Sequence, residues 1–242
     1  QRQMCIRDRI TAAQVAEAYE AHIHNDSFEH MVQPKMVYIS NPTEVGTIYS
    51  KAELTALSET CHKYGLYLFL DGARLGYGLA APDNDLTLPE IAALCDVFYI
   101  GGTKVGALFG EAVVIKNPEL AQDFRYLIKQ NGGMLAKGRL LGLQFDALFT
   151  DGLYQEISAH AIAMAEKLRE AFTAKGYTYL APNRTNQIFV IVPDAHLAKI
   201  SEQFEYSYDQ RIDATHSCVR FCTGWATREE NVDALIRCVE KM

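Results

Sequence analysis

Three short apolar runs, each closed by a polar residue or glycine and each followed by a helix-like stretch or a tight loop, constrain this chain more than any other feature. They are "KMVYIS" (35–40), "LYLFLD" (66–71) and "DVFYIG" (96–101). Runs of this length rich in Val, Ile, Phe and Tyr suit strands buried in a sheet. Ahead of them, "ITAAQVAEAYEAHI" (10–23) has helical spacing, and Ser50 with Glu53 spells a capping box for a helix through Tyr64, which Gly65 can close. "LPEIAALC" leads into the third run, and "EAVVI" (111–115) can add one more strand to the same sheet. Strands separated by helices imply right-handed crossovers and parallel pairing, so the expected fold class is α/β with a mostly parallel sheet.

The pattern then changes. Residues 120–149 and 153–175 read as helix, with Gly176 as a stop, and "QIFVIVP" and "CVRFCT" read as strands. A last helix is expected after Thr227, in a second capping box with Glu230. These boundaries divide the chain into a large sheet domain over residues 10–150 and a small α+β domain over 151–242. The opening nine residues, "QRQMCIRDR", fit neither and read as a non-native leader.

Composition excludes several partners. A formal net charge of −7 offers no positive field for nucleic acid or anionic lipid. No apolar stretch approaches the roughly 18 residues that cross a bilayer, and the first nine lack the apolar core of a signal peptide, so a cytoplasmic location is expected. The 6 cysteines are too few for a disulfide framework in a chain of 242 residues. Cys61, Cys95 and Cys238 sit where cysteine packs as a small hydrophobe, and Cys218 and Cys222 share a strand face without the partners of a zinc set, so no metal is expected. His22, His24 and His30 read as a solvated helix end and loop.

In an open parallel sheet, ligands bind beyond the carboxyl ends of the strands. Asn41 to Thr43 follow the first run there, Asp71 closes the second in "DGAR", and Lys104 follows the third in "YIGGTKVGALFG". That lysine stands alone among glycines and small apolar residues, which suggests a need for room around it. It is no phosphate-loop lysine, because Val105 replaces the required hydroxyl, and "GYGLAA" (76–81) lacks the strand-to-helix context of a dinucleotide fingerprint. An amine and a carboxylate at one sheet edge fit pyridoxal 5'-phosphate, whose aldehyde forms a Schiff base with a lysine and whose ring nitrogen an acid keeps protonated.

From about Ile10 onward the chain resembles the aromatic amino acid β-eliminating lyase and threonine aldolase family of fold type I pyridoxal phosphate enzymes. The resemblance rests on "SNPTEVGTIYSKAEL", "DGAR", "GGTKVGALFGEAVVI", "GGMLAKGRLLGLQF" and "VRFCTGWAT", in the family's order. It implies Lys104 as the Schiff-base lysine and Asp71 as partner of the pyridine nitrogen. Arg74 would meet the cofactor's phenolic oxygen or help to hold the substrate, and Thr103 would lie near the phosphate. Arg220 would grip the substrate α-carboxylate, a planar bidentate task that suits a guanidinium.

Family members assemble as homodimers or homotetramers, which implies that Lys129 or Lys137 reaches a neighbour's phosphate. Two departures from the family pattern stand out: no serine precedes Lys104 and no proline soon follows it. The family also carries roughly a hundred residues before the segment that Ile10 begins, the size of a further domain portion, so the resemblance implies an N-terminally truncated chain. The expected function is cleavage of a β-hydroxy-α-amino acid, most simply L-threonine to glycine and acetaldehyde. The alternatives are another fold type I reaction, β-elimination or transamination, and a non-catalytic fragment that acts only in association.

Overall fold

In the computed structural model, which describes residues 8–242, the three apolar runs lie side by side. Helix α1 (Ala12–Ile23) precedes strand β1 (Met36–Ser40), α2 (Lys51–Lys63) and β2 (Tyr67–Asp71). Then come α3 (Leu75–Leu79), α4 (Leu88–Leu94), β3 (Val97–Gly101) and β4 (Glu111–Ile115). The sheet runs β1-β2-β3-β4, with β1, β2 and β3 parallel and Ser40 opposite Asp71. β4 is antiparallel to β3, with Glu111 opposite Gly101, because only a loop joins them and a parallel return needs a crossover of a dozen or more residues. Residues 1–7 of the expected leader lie outside the described residues. Its last two are tied in: Asp8 accepts from the Thr47 hydroxyl, and Arg9 pairs with Glu53 at 2.9 Å.

The helices begin where side chains can satisfy their first amides. Capping boxes form at Ser50 with Glu53, as expected, and also at Thr11 with Gln14 and at Thr87 with Glu90. Gly65 takes a φ of 63° at the end of α2, a conformation that glycine adopts without strain. Val37, Ile39, Leu68, Leu70, Phe98 and Ile100 point to one face and are buried in the core that these helices cover.

The strands are not buried on both faces, as their apolar runs suggested. On the other face Tyr38 stacks on Phe69 at 5.3 Å and Phe69 meets Tyr99 edge-on at 6.1 Å, while Met36, Tyr38 and Val113 are about half exposed. Aromatic residues tolerate such a position, which makes an apolar run a poor guide to how many faces are covered.

The stretch expected as one helix over 120–149 is three: α5 (Pro118–Ala121), α6 (Phe124–Gln130) and α7 (Arg139–Phe149). Asp123 and Gly132 take left-handed conformations, with φ of 56° and 76°, and each interrupts the helical register. Helix α8 (Leu153–Ala174) then runs unbroken to Gly176, whose φ of 79° ends it. Its first half, with Tyr154, Ala161 and Ile162, packs in the first core; its second half, with Met164, Leu168 and Phe172, packs in another.

That second core lies under β5 (Thr178–Tyr179), β6 (Gln187–Pro193), α9 (Asp194–Ile200), β7 (Ser207–Arg211), β8 (His216–Cys222) and α10 (Glu229–Glu240). The strands form an antiparallel sheet in the order β5-β6-β8-β7. Strand β7 escapes sequence reading because "SYDQR" is a polar, bulged edge strand. The capping box expected at Thr227 does not form: its hydroxyl instead accepts from the Gly224 amide at 2.8 Å, and α10 starts behind Arg228. His22 and His24 diverge as their spacing requires, but His22 is buried against Phe28, and only His24 is solvated.

No described helix is long and apolar enough to cross a membrane. Cys61 and Cys95 are buried, and burial pushes each thiol up to about 12, which makes them packing residues.

One buried hydroxyl joins the helix shared by both cores to the sheet edge. Tyr154 donates to the Gly101 carbonyl at 3.1 Å and accepts from the Gly76 amide at 3.0 Å. Tyr154→Phe leaves both groups without that partner and is expected to lower the unfolding free energy by about 1–3 kcal/mol, read from the midpoint of urea denaturation.

Candidate active site

Lys104 lies in the loop between β3 and β4, and the glycines around it have a structural origin. A Cβ on Gly101 would stand 2.2 Å from the Ala73 carbonyl oxygen, and one on Gly102 would stand 2.5 Å from the Gly110 carbonyl oxygen. The room the sequence suggested is therefore occupied at these two positions by the protein's own backbone. Val105 and Ala107 are buried, and both amides donate to the Gly102 carbonyl at 2.9 Å. The anchored loop leaves the Lys104 side chain exposed.

Three side chains hold this loop from outside it. Glu111 accepts from the Gly102 amide at 2.6 Å and from the Thr103 hydroxyl at 3.1 Å. Gln144 of α7 accepts from the Leu108 amide at 2.7 Å. Tyr77 of α3, almost wholly buried, donates to the Lys104 carbonyl and accepts from the Trp225 amide at 3.3 Å. Burial raises the Tyr77 phenol, so it stays protonated as that donation requires.

Asp71 ends β2 on the aromatic face. One carboxylate oxygen accepts from the Ala73 amide at 3.0 Å and the other from the Tyr38 hydroxyl. Burial, then the hydrogen bond to Asp71 and its charge, push the Tyr38 phenol up to about 12. Burial first, and then the nearby Asp71 carboxylate, raise the Tyr99 phenol as well. The Tyr38 phenol, kept protonated, thus serves the Asp71 carboxylate.

A cavity of about 520 Å³ opens between the ends of the two sheets. Arg74, Tyr77 and Lys104 line it from the first sheet's side, and Asn186, Gln187, Arg220, Cys222 and residues 223–227 from the second. Lys104, Arg74 and Arg220, expected from sequence, are brought together here, and among the described residues no carboxylate lines the cavity. Asp71 and Thr103 are outside the lining, as are Lys129 on α6 and Lys137 before α7, both of them exposed.

Asn41 and Thr43, noted at the end of the first run, are buried in structural bonds: Asn41 accepts from the Tyr49 amide at 3.1 Å, and Thr43 pairs with Thr47 at 2.7 Å. Sequence reading missed Tyr77, Asn186, Gln187 and Glu111. The "GYG" around Tyr77 was its one visible signal, since a Cβ on Gly76 would lie 2.4 Å from the Ser158 hydroxyl and one on Gly78 2.9 Å from the Pro42 ring.

The mostly parallel α/β sheet followed by a second, antiparallel sheet matches the fold of the fold type I enzymes. The sequence pattern described as "Beta-eliminating lyase" matches residues 7–195, and the chain belongs to that family. It is 33% identical over 210 residues to the low specificity L-threonine aldolase of Pseudomonas sp. (strain NCIMB 10558), covering 85% of this chain and 59% of the relative. It is 31% identical to the enzyme of that name from Pseudomonas aeruginosa, with 86% and 60% covered. The structure of Leishmania major threonine aldolase superposes with a TM-score of 0.93 at 43% identity, over 98% of this chain and 68% of that one. The chain thus spans about six tenths of the curated relatives it matches.

Removing the Tyr77 hydroxyl tests how the lysine loop is held. Tyr77→Phe is expected to cost about 1–2 kcal/mol of stability and to speed hydrogen exchange at the Trp225 amide. Unchanged exchange there would show that the hydroxyl does not hold the loop.

Proposed function

We propose that this chain carries the lysine-bearing portion of a pyridoxal 5'-phosphate-dependent lyase that cleaves a β-hydroxy-α-amino acid, L-threonine to glycine and acetaldehyde in the simplest case. The observation that carries the reading is the cavity lined by Lys104, Arg74 and Arg220 and, among the described residues, by no carboxylate, in a chain whose net charge is −7. Three cations gathered against the overall charge suit an anionic ligand, and no ion pair among the described residues engages any of these three. Similarity to the threonine aldolases supports the choice of reaction.

The donor set fits the cofactor: an exposed amine for its aldehyde, guanidiniums for its oxygens and those of the substrate, and a carboxylate on the adjoining strand for its ring nitrogen. When bound, the cofactor supplies an electron sink for the carbon whose bond to Cβ breaks. Lys104 would be the residue that holds it. Asp71 would favour the protonated ring nitrogen, and Tyr38 orients that carboxylate. Arg74 serves the phenolic oxygen or the substrate, Thr103 the phosphate, and Arg220 the α-carboxylate.

The assembly we propose is a homodimer or homotetramer, in which Lys129 or Lys137 approaches a neighbour's phosphate. Its support is an exposed apolar set flanking those lysines in the chain: Tyr126, Leu135 and Leu140 are each more than half exposed. Burial of the reduced Cys61 and Cys95 is compatible with a cytoplasmic location.

The first test is to mix the folded protein with pyridoxal phosphate, reduce with borohydride and map the labelled peptide. Label concentrated on Lys104, and lost in Lys104→Ala, is expected; a folded protein without selective label overturns the reading. Products from threonine, serine and tryptophan then separate aldol cleavage from β-elimination and transamination. Asp71→Asn is expected to retain label and to lower threonine turnover roughly a hundredfold or more. For assembly, sedimentation of the wild type should give a dimer or tetramer, and Tyr126→Glu with Leu140→Glu should shift it toward monomer.

A further inference from the structure

We propose that Gln187 binds the α-carboxylate of the amino-acid substrate beside Arg220, an assignment that rests on the function proposed above. Gln187 opens β6 opposite Cys222, the last residue of β8, and its side chain is fully buried. An amide in that position costs about 1–3 kcal/mol unless its hydrogen bonds are made. Half of them are: Oε1 accepts from Arg220 Nη1 at 3.3 Å and faces the Cys222 thiol at 3.9 Å. A guanidinium can only donate, so this contact fixes the amide's orientation and makes Nε2 the group turned elsewhere. Nε2 has no hydrogen-bond partner among the described residues.

Arg220 shows the same deficit. Its Nη2 reaches the Ser207 hydroxyl at 3.5 Å, and its guanidinium lies 5.9 Å from the Phe189 ring centroid. Its Nε is buried and, like Gln187 Nε2, has no partner among the described residues. Two N–H donors lacking acceptors, on touching side chains that line one cavity, call for a ligand with two acceptor oxygens. A carboxylate provides them together with the charge that Arg220 leaves unpaired.

A purely structural glutamine would hold Arg220 through Oε1 and nothing more, and two substitutions separate these roles. Gln187→Glu keeps an acceptor for Arg220 while it replaces the donor with a negative charge. Gln187→Met removes both polar groups at similar volume. In protein loaded with pyridoxal phosphate, we measure binding by calorimetry for glycine and for 1-amino-2-propanol, which is threonine without its carboxylate, and steady-state kinetics on threonine.

The expected result is a weakening of glycine binding and a rise in KM of about 10- to 100-fold in both variants, the worth of a hydrogen bond to a charged group. Binding of 1-amino-2-propanol should change less than about threefold, within the spread of a substitution that touches no contact of that ligand. Glycine binding as in the wild type by either variant, with circular dichroism confirming the fold, overturns the assignment. So does a parallel loss for both ligands, which would make Gln187 a packing residue. Wild-type protein that accepts the cofactor but binds neither ligand would instead overturn the lyase reading, and this proposal with it.

Discussion

The close approach of the β2 and β3 ends governs the rest of the structure. Gly101 donates its amide to the Gly72 carbonyl at 2.8 Å, and neither glycine can carry a side chain there. A Cβ on Gly72 would lie 2.0 Å from the Tyr99 carbonyl oxygen, and one on Gly101 would meet Ala73. Two backbones that touch in this way fix the "DGAR" turn against the start of the lysine loop. Arg74 and Lys104 are then neighbours through main-chain packing, which is stiffer than any pair of long side chains could be.

From that contact the order spreads through buried tyrosines. Tyr154 binds the Gly101 carbonyl from α8, and Tyr77 bridges the Lys104 carbonyl and the Trp225 amide beyond β8. Polar ties at the other end join the loop after β1 to the second sheet: Asn183 donates to the Val45 carbonyl at 2.9 Å and Thr185 to the Gly46 carbonyl at 2.8 Å. Helix α8 threads both cores. The cavity wall carrying Gln187 and Arg220 is therefore held to the wall carrying Lys104 at several points, as a site shared by two sheets requires.

Much of this was legible in the chain because it is local. Strand runs, the Ser50 capping box, Gly65, Gly176 and the residues just past the strand ends each announce themselves within a few positions. The features that escaped depend on distant partners. Nothing near Tyr77 shows that its hydroxyl meets the lysine loop, and the buried amide of Gln187 looks like strand sequence until Arg220 is set across from it. The Thr227–Glu230 spacing misled because Gly224 competes for the same hydroxyl. Likewise the apolar β1 and β2 runs suggested a doubly covered sheet, whereas their second face carries an aromatic strip ending at Asp71.

The position of that strip bears on the proposed chemistry. Asp71, Arg74 and Lys104 lie at the strand ends of the first sheet, with Arg220 facing them from the second, yet the carboxylate stands on the aromatic face with the Tyr38 phenol, outside the lining of the cavity. Were Asp71 paired with Arg74, each would neutralise the other and neither would be available to a ligand. Phenols satisfy a carboxylate's lone pairs without cancelling its charge, so Asp71 keeps its negative field while its geometry is fixed. Under the proposed reading the cofactor needs both signs at once, a cation-rich environment for its oxygens and an anion for its ring nitrogen. A tyrosine partner for the acid, and a neutral polar partner such as Gln187 for Arg220, allow both signs to coexist around the facing ends of the two sheets.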